Sequence, residues 1–399
     1  MISLPGRAWL ASIAGLGLLS FSVIGTDAQV PERRLTEADA TFPEAFASLS
    51  GLRPLPDGRL LVADALGQAL TIVDLMAGTA DTIGRVGGGP NEYRQPDGVF
   101  GLPGGKTLLV DLGNGRLTVL EPDLSFGEST PIAQGEPRPG MMGGGMVMVL
   151  PRAVDDRGRV FFQSFMGGMG PDGQPNDSGP VLRWTRESNT IDTVGMVKLQ
   201  GRQQQTSGGA NNRRAIIRPI PLTPQDAWGV GPDGRLAVAR ANPYSLEWID
   251  PNGSRVRGDQ VEFRPVPVRQ ADKEEYVDAV ASGGLQIRMS VENGVRSMGF
   301  SRGGGGGRPD TDSYEWPATK PAFVGSSVWV TPDGDAWVQR SVPAGEPVQF
   351  DVFGGDGQLR ERIILPAGRR IVGFGGGFVY VAAPDEFDLQ WLERYQITT

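Results

Sequence analysis

The chain is expected to be all-β, a six-bladed β-propeller whose last blade is closed by a strand from near the N-terminus. Three observations predict it. A ten-residue turn-and-strand block occurs six times, the strand in its first copy is apolar on both faces, and the sixth copy runs out of chain before a fourth strand fits. The 59 Gly and 32 Pro among 399 residues favour turns and short elements over long helices. With 39% hydrophobic and 21% charged residues the chain is globular.

The block reads LPDGRLLVAD (55–64), LPGGKTLLVD (102–111), DDRGRVFFQS (155–164), GPDGRLAVAR (231–240), TPDGDAWVQR (331–340) and FGGGFVYVAA (374–383). Its fourth position is always glycine: Gly58, Gly105, Gly158, Gly234, Gly334 and Gly377. Pro presets φ, Asp bonds its own backbone and Gly takes φ > 0, so Pro-Asp-Gly marks a turn into a strand. These are not calcium loops, which need further acidic ligands at alternate positions. A second strand signal trails most copies, and in three of them its centre lies thirteen residues after the glycine, at Thr71, Thr118 and Glu247.

In the first block Leu60 and Val62 alternate with Leu61 and Ala63, so neither strand face is polar. Small sheets stacked radially against one another cover both faces, which is the propeller's answer to exposed edges. The glycine markers are 47, 53, 76, 100 and 43 residues apart. A four-stranded blade takes about 40–50 residues, so the third and fourth gaps carry insertions, near 198–218 and 269–317. The segment Pro31–Ala38 is expected to supply the missing strand of the final blade.

Residues 1–28 read as a secretory signal: one early charge at Arg7, an apolar run from Ala8 to Gly25, and small residues Thr26 and Ala28 before a cleavage site. An uncleaved anchor is the other reading of this run. Residues 29–399 then form one propeller domain, periplasmic or secreted, with no later stretch apolar enough to span a membrane.

The sequence has neither His nor Cys. That removes thiol nucleophiles, disulfides, imidazole bases and the usual zinc ligands, and leaves oxygen ligands for any metal. A formal charge of −8 disfavours nucleic acid as a partner. No catalytic constellation and no metal-ligand spacing is visible.

The stretch 87–124 resembles the NHL repeat through Gly87, Gly89, Tyr93, Pro96, Gly105, Asp111, Asn114, Arg116 and Val119. The whole chain is similar to the extracytoplasmic six-bladed propellers of bacteria, the NHL-like and TolB-like group. The resemblance implies the fold; its members' functions are diverse. The amidating lyases of this group hold zinc with His, which is missing here. The lactonase-like members hold Ca²⁺ with Glu, Asn and Asp near the channel, so the resemblance allows a Ca²⁺-dependent hydrolase.

The tenth block position carries Asp64, Asp111, Ser164, Arg240, Arg340 and Ala383. In a ring of six, the first and second blades face the fourth and fifth, setting two carboxylates opposite two guanidiniums. That makes Asp64, Asp111, Arg240 and Arg340 candidates for an anionic or zwitterionic ligand; ion pairing between blades is the competing reading. Arg213, Arg214 and Arg218 lie in a stretch without acidic residues, a candidate anion or partner contact or else a solvated loop. Tyr276, Val277 and Val280 are expected on one face of a short helix ending at Gly283-Gly284. The functional expectation is a non-catalytic binding or protein-interaction module of the cell envelope that recognises a protein or a small anion. The alternatives are the calcium-dependent hydrolase and an accessory subunit of an envelope complex.

Overall fold

The computed structural model describes Met1 and residues 30–135, 147–163, 176–207, 214–283, 285–292, 295–302 and 308–397. The rest of the expected signal segment lies outside the described residues, as do Ser164 and Arg213.

Six antiparallel sheets follow one another along the chain, and the structure is a six-bladed β-propeller. Blade 1 is Gly51–Pro54, Leu60–Asp64, Ala69–Asp74 and Thr79–Thr82. Blade 2 is Pro96–Gly101, Thr107–Asp111, Arg116–Leu120 and Phe126–Pro131. Blade 3 is Ala153–Val154, Val160–Gln163, Ser178–Thr185 and Thr190–Lys198. Blade 4 is Ala227–Val230, Leu236–Ala241, Tyr244–Ile249 and Arg255–Arg257. Blade 5 is Phe323–Val330, Ala336–Arg340, Val348–Phe353 and Leu359–Leu365. Blade 6 is Arg370–Gly375, Phe378–Pro384 and Gln390–Gln396, completed by Ala40–Thr41.

The ring therefore closes with an N-terminal strand, a few residues later than expected. Ala40 pairs with Arg394 and Thr41 with Glu393, while Glu32–Arg34 adds a fifth, parallel strand to the edge of blade 5. The chain runs first along blade 5; Leu35 and Ala38 then pack between blades 5 and 6 and carry it across to blade 6.

All six marker glycines sit at the same place, the turn between the first and second strands of a blade. Each has φ between 73° and 89°, which only glycine adopts without cost. The core consists of six apolar clusters, one at each blade boundary. Leu60 and Val62 pack toward Val372 and Tyr380 of blade 6, and Leu61 and Ala63 toward Val99 and Leu109 of blade 2. Clusters between blades 2 and 3, 3 and 4, 4 and 5, and 5 and 6 complete the circle. The two-faced apolar strands thus bury both sides against neighbours.

The inner strands of blades 4 and 5 come closest. Trp228 and Ser327 form a parallel bridge, and a Cβ on Gly229 would lie 2.0 Å from the Val328 carbonyl oxygen. Among the described residues no helix is long and apolar enough to cross a membrane.

Candidate functional site

Strand direction sorts the connections. The marker turns and the hairpins between third and fourth strands lie on one face, which carries only short turns. The hairpins between second and third strands and all blade-to-blade connections lie on the opposite face. Among the described residues the long blade-to-blade connections therefore emerge on one side, the loop face: 83–95, 132–135 with 147–152, 199–207 with 214–226, and the described parts of 258–322. Loops on a rigid scaffold are where binding concentrates.

The tenth block positions end the second strands on this loop face. Asp64 Oδ1 accepts from Ser48 N at 2.8 Å and Gly67 N at 2.7 Å, and its Oδ2 from Ala47 N at 2.9 Å. Asp111 accepts from Arg94 N at 3.0 Å and Gln95 N at 3.2 Å, and its Oδ2 from Asn114 Nδ2 at 2.7 Å. Asn114 also donates to the Gly87 carbonyl, and Arg116 to those of Gly89 and Glu92. The NHL-like residues thus staple the glycine-rich lead-in to blade 2. Both carboxylates are buried and fully engaged by donors, so neither fits a Ca²⁺ site, and among the described residues no group of three acidic side chains could hold a metal.

Arg240 and Arg340 are also paired, through a feature that recurs by register. In each blade the residue four after the marker glycine faces a third-strand partner: Val62 faces Thr71, Leu109 faces Thr118, Phe162 faces Leu182, Val238 faces Glu247, Val338 faces Asp351 and Val381 faces Glu393. Blades 1 and 2 carry threonine there; blades 4, 5 and 6 carry a buried carboxylate. Glu247 takes Arg240 Nε at 2.8 Å, with Arg257 at 3.5 Å. Arg240 also reaches Asp226 at 2.8 Å and the Met196 carbonyl of blade 3. Burial works against the charge on Arg240, but Asp226 and Glu247 outweigh it and raise its pKa. Glu393 takes Arg369 at 2.9 Å and the Tyr395 hydroxyl at 2.7 Å. Each of the four candidate side chains is held by neighbours on its own side of the ring, and their second strands stand behind the channel-lining ones.

Asp351 is the most enclosed of the three, with zero exposure. Arg340 Nη1 lies 2.9 Å and Arg362 Nε 3.0 Å from its Oδ1, and the Tyr244 hydroxyl of blade 4 donates to Oδ2 at 2.9 Å. Beside this four-residue cluster a cleft of about 450 Å³ opens between blade 5 and the connection from blade 4, bounded by Arg340, Ser341, Gln349, Arg362, residues 262–264 and Val266. Neither Asp351 nor the cleft is legible from the tenth position alone.

The two insertions meet at the loop face. Arg214 and Arg218 fall in a hairpin formed by Arg202–Ser207 and Arg214–Pro219. The second insertion contains the expected helix, Gln270–Gly283. Val277 is buried and Tyr276 packs edge-on against Tyr314 and Trp316, whereas Val280 points to solvent. Burial raises the Tyr276 pKa, opposed by a hydrogen bond with Gln200 at the base of the first insertion. Asp272 accepts from Lys320 Nζ at 2.6 Å and from Ala344 N at 2.8 Å, so a buried ion pair fastens the helix to blade 5. This insertion is docked rather than trailing.

No family model and no curated protein matches the chain. The solved structures similar to it are propellers of diverse description. A member of the DUF4221 family from Bacteroides vulgatus shares 10% identity with a TM-score of 0.49, over 90% of this chain and 96% of that one. The calcium-binding protein regucalcin from Agrobacterium tumefaciens shares 11% with a TM-score of 0.41, over 92% and 97%. Virginiamycin B lyase from Staphylococcus aureus shares 10% with a TM-score of 0.37, over 89% and 98%. Likenesses this distant carry nothing about activity.

Proposed function

We propose that the protein is an exported binding module that works through the loop face of its propeller and performs no chemistry of its own. The observation that carries this reading is Phe387. It is 75% exposed at the tip of the loop between the second and third strands of blade 6, and the loop is braced by hydrogen bonds. Asp385 accepts from Phe387 N at 2.9 Å, Leu389 N at 3.0 Å and Trp391 Nε1 at 3.1 Å. A large apolar side chain held out by a fixed loop is what a protein partner buries at low entropic cost. Leu66, on the corresponding loop of the adjacent blade 1, is 46% exposed. The acidic groups that could serve as acids or bases here are instead engaged by arginines and backbone N–H groups. The reading of export is supported by the apolar run from Ala8 to Gly25 and the small residues Thr26 and Ala28 that follow it.

A photo-crosslinking amino acid in place of Phe387, compared with one in place of Asp356 on the short-turn face, tests the reading in intact cells. Discrete adducts from position 387 alone are expected. No adduct from 387, or the same adducts from both positions, would refute it.

A further inference from the structure

We infer that the cleft between blades 4 and 5 is a binding site for a small organic carboxylate with an apolar body. This deepens the binding-module reading by naming a ligand class for its loop face.

Register places Arg340, Gln349, Asp351 and Arg362 on one face of blade 5, the face turned toward blade 4. Arg340 engages Asp351 through Nη1 and Arg362 through Nε and, among the described residues, each keeps part of its planar fork clear of that carboxylate. One carboxylate between two guanidiniums leaves capacity for one more negative charge, and the other charged groups lining the cleft, Glu262 and Arg264, offset each other. At the outer rim Glu32 lies 3.8 Å from Arg362, but Arg34 on the same strand face offsets it.

Ser341 supplies the independent observation. It is 9% exposed, lines the cleft, and among the described residues its hydroxyl has no hydrogen-bond partner. A buried hydroxyl without a partner is costly, and an anionic oxygen in the cleft would satisfy it. A pair of guanidinium forks with a neighbouring hydroxyl suits the planar carboxylate group. The single uncompensated charge matches a monocarboxylate better than a dianionic phosphate. Phe263, 37% exposed, and Val266 flank the cleft opposite these groups and call for a carbon skeleton. Its volume lies within the range of small-molecule sites.

The test uses the full mature chain, with benzoate as probe and inorganic phosphate and butylammonium as comparators, followed by ligand-detected NMR. Saturable benzoate binding is expected, with phosphate much weaker and butylammonium absent. Arg340→Gln should weaken benzoate by about tenfold or more, and Ser341→Ala by about threefold. Arg257→Gln, at the blade 4 position equivalent by register to Arg362, should leave it unchanged. Should Arg340→Gln fail to fold, Ser341→Ala and the comparator salts still decide. The proposal is overturned by no saturable binding, by phosphate binding as well as benzoate, or by binding that Ser341→Ala leaves intact. Crosslinking at Phe387 reports on a different blade, so either result can fail without the other.

Discussion

The Tyr244 hydroxyl of blade 4 donates to the Asp351 carboxylate of blade 5 at 2.9 Å, a hydrogen bond between two side chains that are 2% and 0% exposed. Burial and the adjacent carboxylate push the Tyr244 pKa well above its usual value. The pair ties two blades together beneath the cleft, while Arg340 and Arg362 neutralise Asp351 from its own sheet.

Removing either partner should therefore cost different amounts. Tyr244→Phe deletes one hydrogen bond and should lower stability by about 1–2 kcal/mol. Asp351→Asn leaves two guanidiniums facing a neutral amide and should cost about 3–5 kcal/mol. Urea unfolding of both variants checks this; equal losses would mean the arginines do not depend on Asp351.

Much of this architecture was legible because its signals are local. The turn before each second strand holds its residue at φ between 73° and 89°, which favours glycine, so the six markers could be counted. A strand covered on both sides must be apolar on both sides. The acidic ladder was half visible: Glu247 stood at the same offset from its glycine as Thr71 and Thr118. Asp351 and Glu393 escaped that count because longer hairpins, at 341–347 and 385–389, shift them along the chain while strand pairing keeps them in register. The cleft is less accessible still, since residues 262–266 meet blade 5 only through folding across a long insertion. The closing strand was misplaced because it is two residues long and is defined by backbone hydrogen bonds to Arg394 and Leu392 rather than by its side chains.

The helix of the second insertion should be released by acid before the ring unfolds. Burial favours the protonated form of Asp272, but Lys320 and the amides of Arg269 and Ala344 outweigh it and hold its pKa below the usual value. A carboxyl depressed in the folded state contributes stability above its unfolded pKa, about 3.9, and loses it as pH falls through the folded value. Protection of 270–283 from proteolysis is thus expected to persist at pH 5 and to fail below about pH 4. Asp272→Asn should abolish that protection already at neutral pH, because Lys320 is only 5% exposed and would lose its close carboxylate, keeping the Val342 carbonyl and Glu275 at 3.9 Å. Unchanged protection in the variant would mean that the aromatic contacts of Tyr276 with Tyr314 and Trp316 hold the helix on their own.

Two glycine substitutions separate packing from backbone strain. In Gly334→Ala the new methyl meets nothing within 4 Å, so only the positive φ opposes it, at about 1–2 kcal/mol. In Gly229→Ala the methyl collides with the Val328 carbonyl on the next blade, which forces two inner strands apart and should cost about 3 kcal/mol or more. Denaturant midpoints of the two variants give the comparison, and a milder loss at Gly229 would mean that the ring yields at the boundary of blades 4 and 5.

Calcium distinguishes the binding module from a lactonase-like hydrolase. A metal that binds only the folded chain raises stability by about 2.7 kcal/mol at a hundredfold excess over its dissociation constant. Asp64 and Asp111 are the carboxylates that end the second strands of blades 1 and 2, and their oxygens already accept backbone and side-chain donors. Coordinating Ca²⁺ would require breaking the loops they hold, so thermal unfolding of residues 29–399 should be the same in Ca²⁺ and in EDTA. A rise with Ca²⁺ that Mg²⁺ does not reproduce would place a specific site elsewhere on the chain. It would make lactone hydrolysis the next assay.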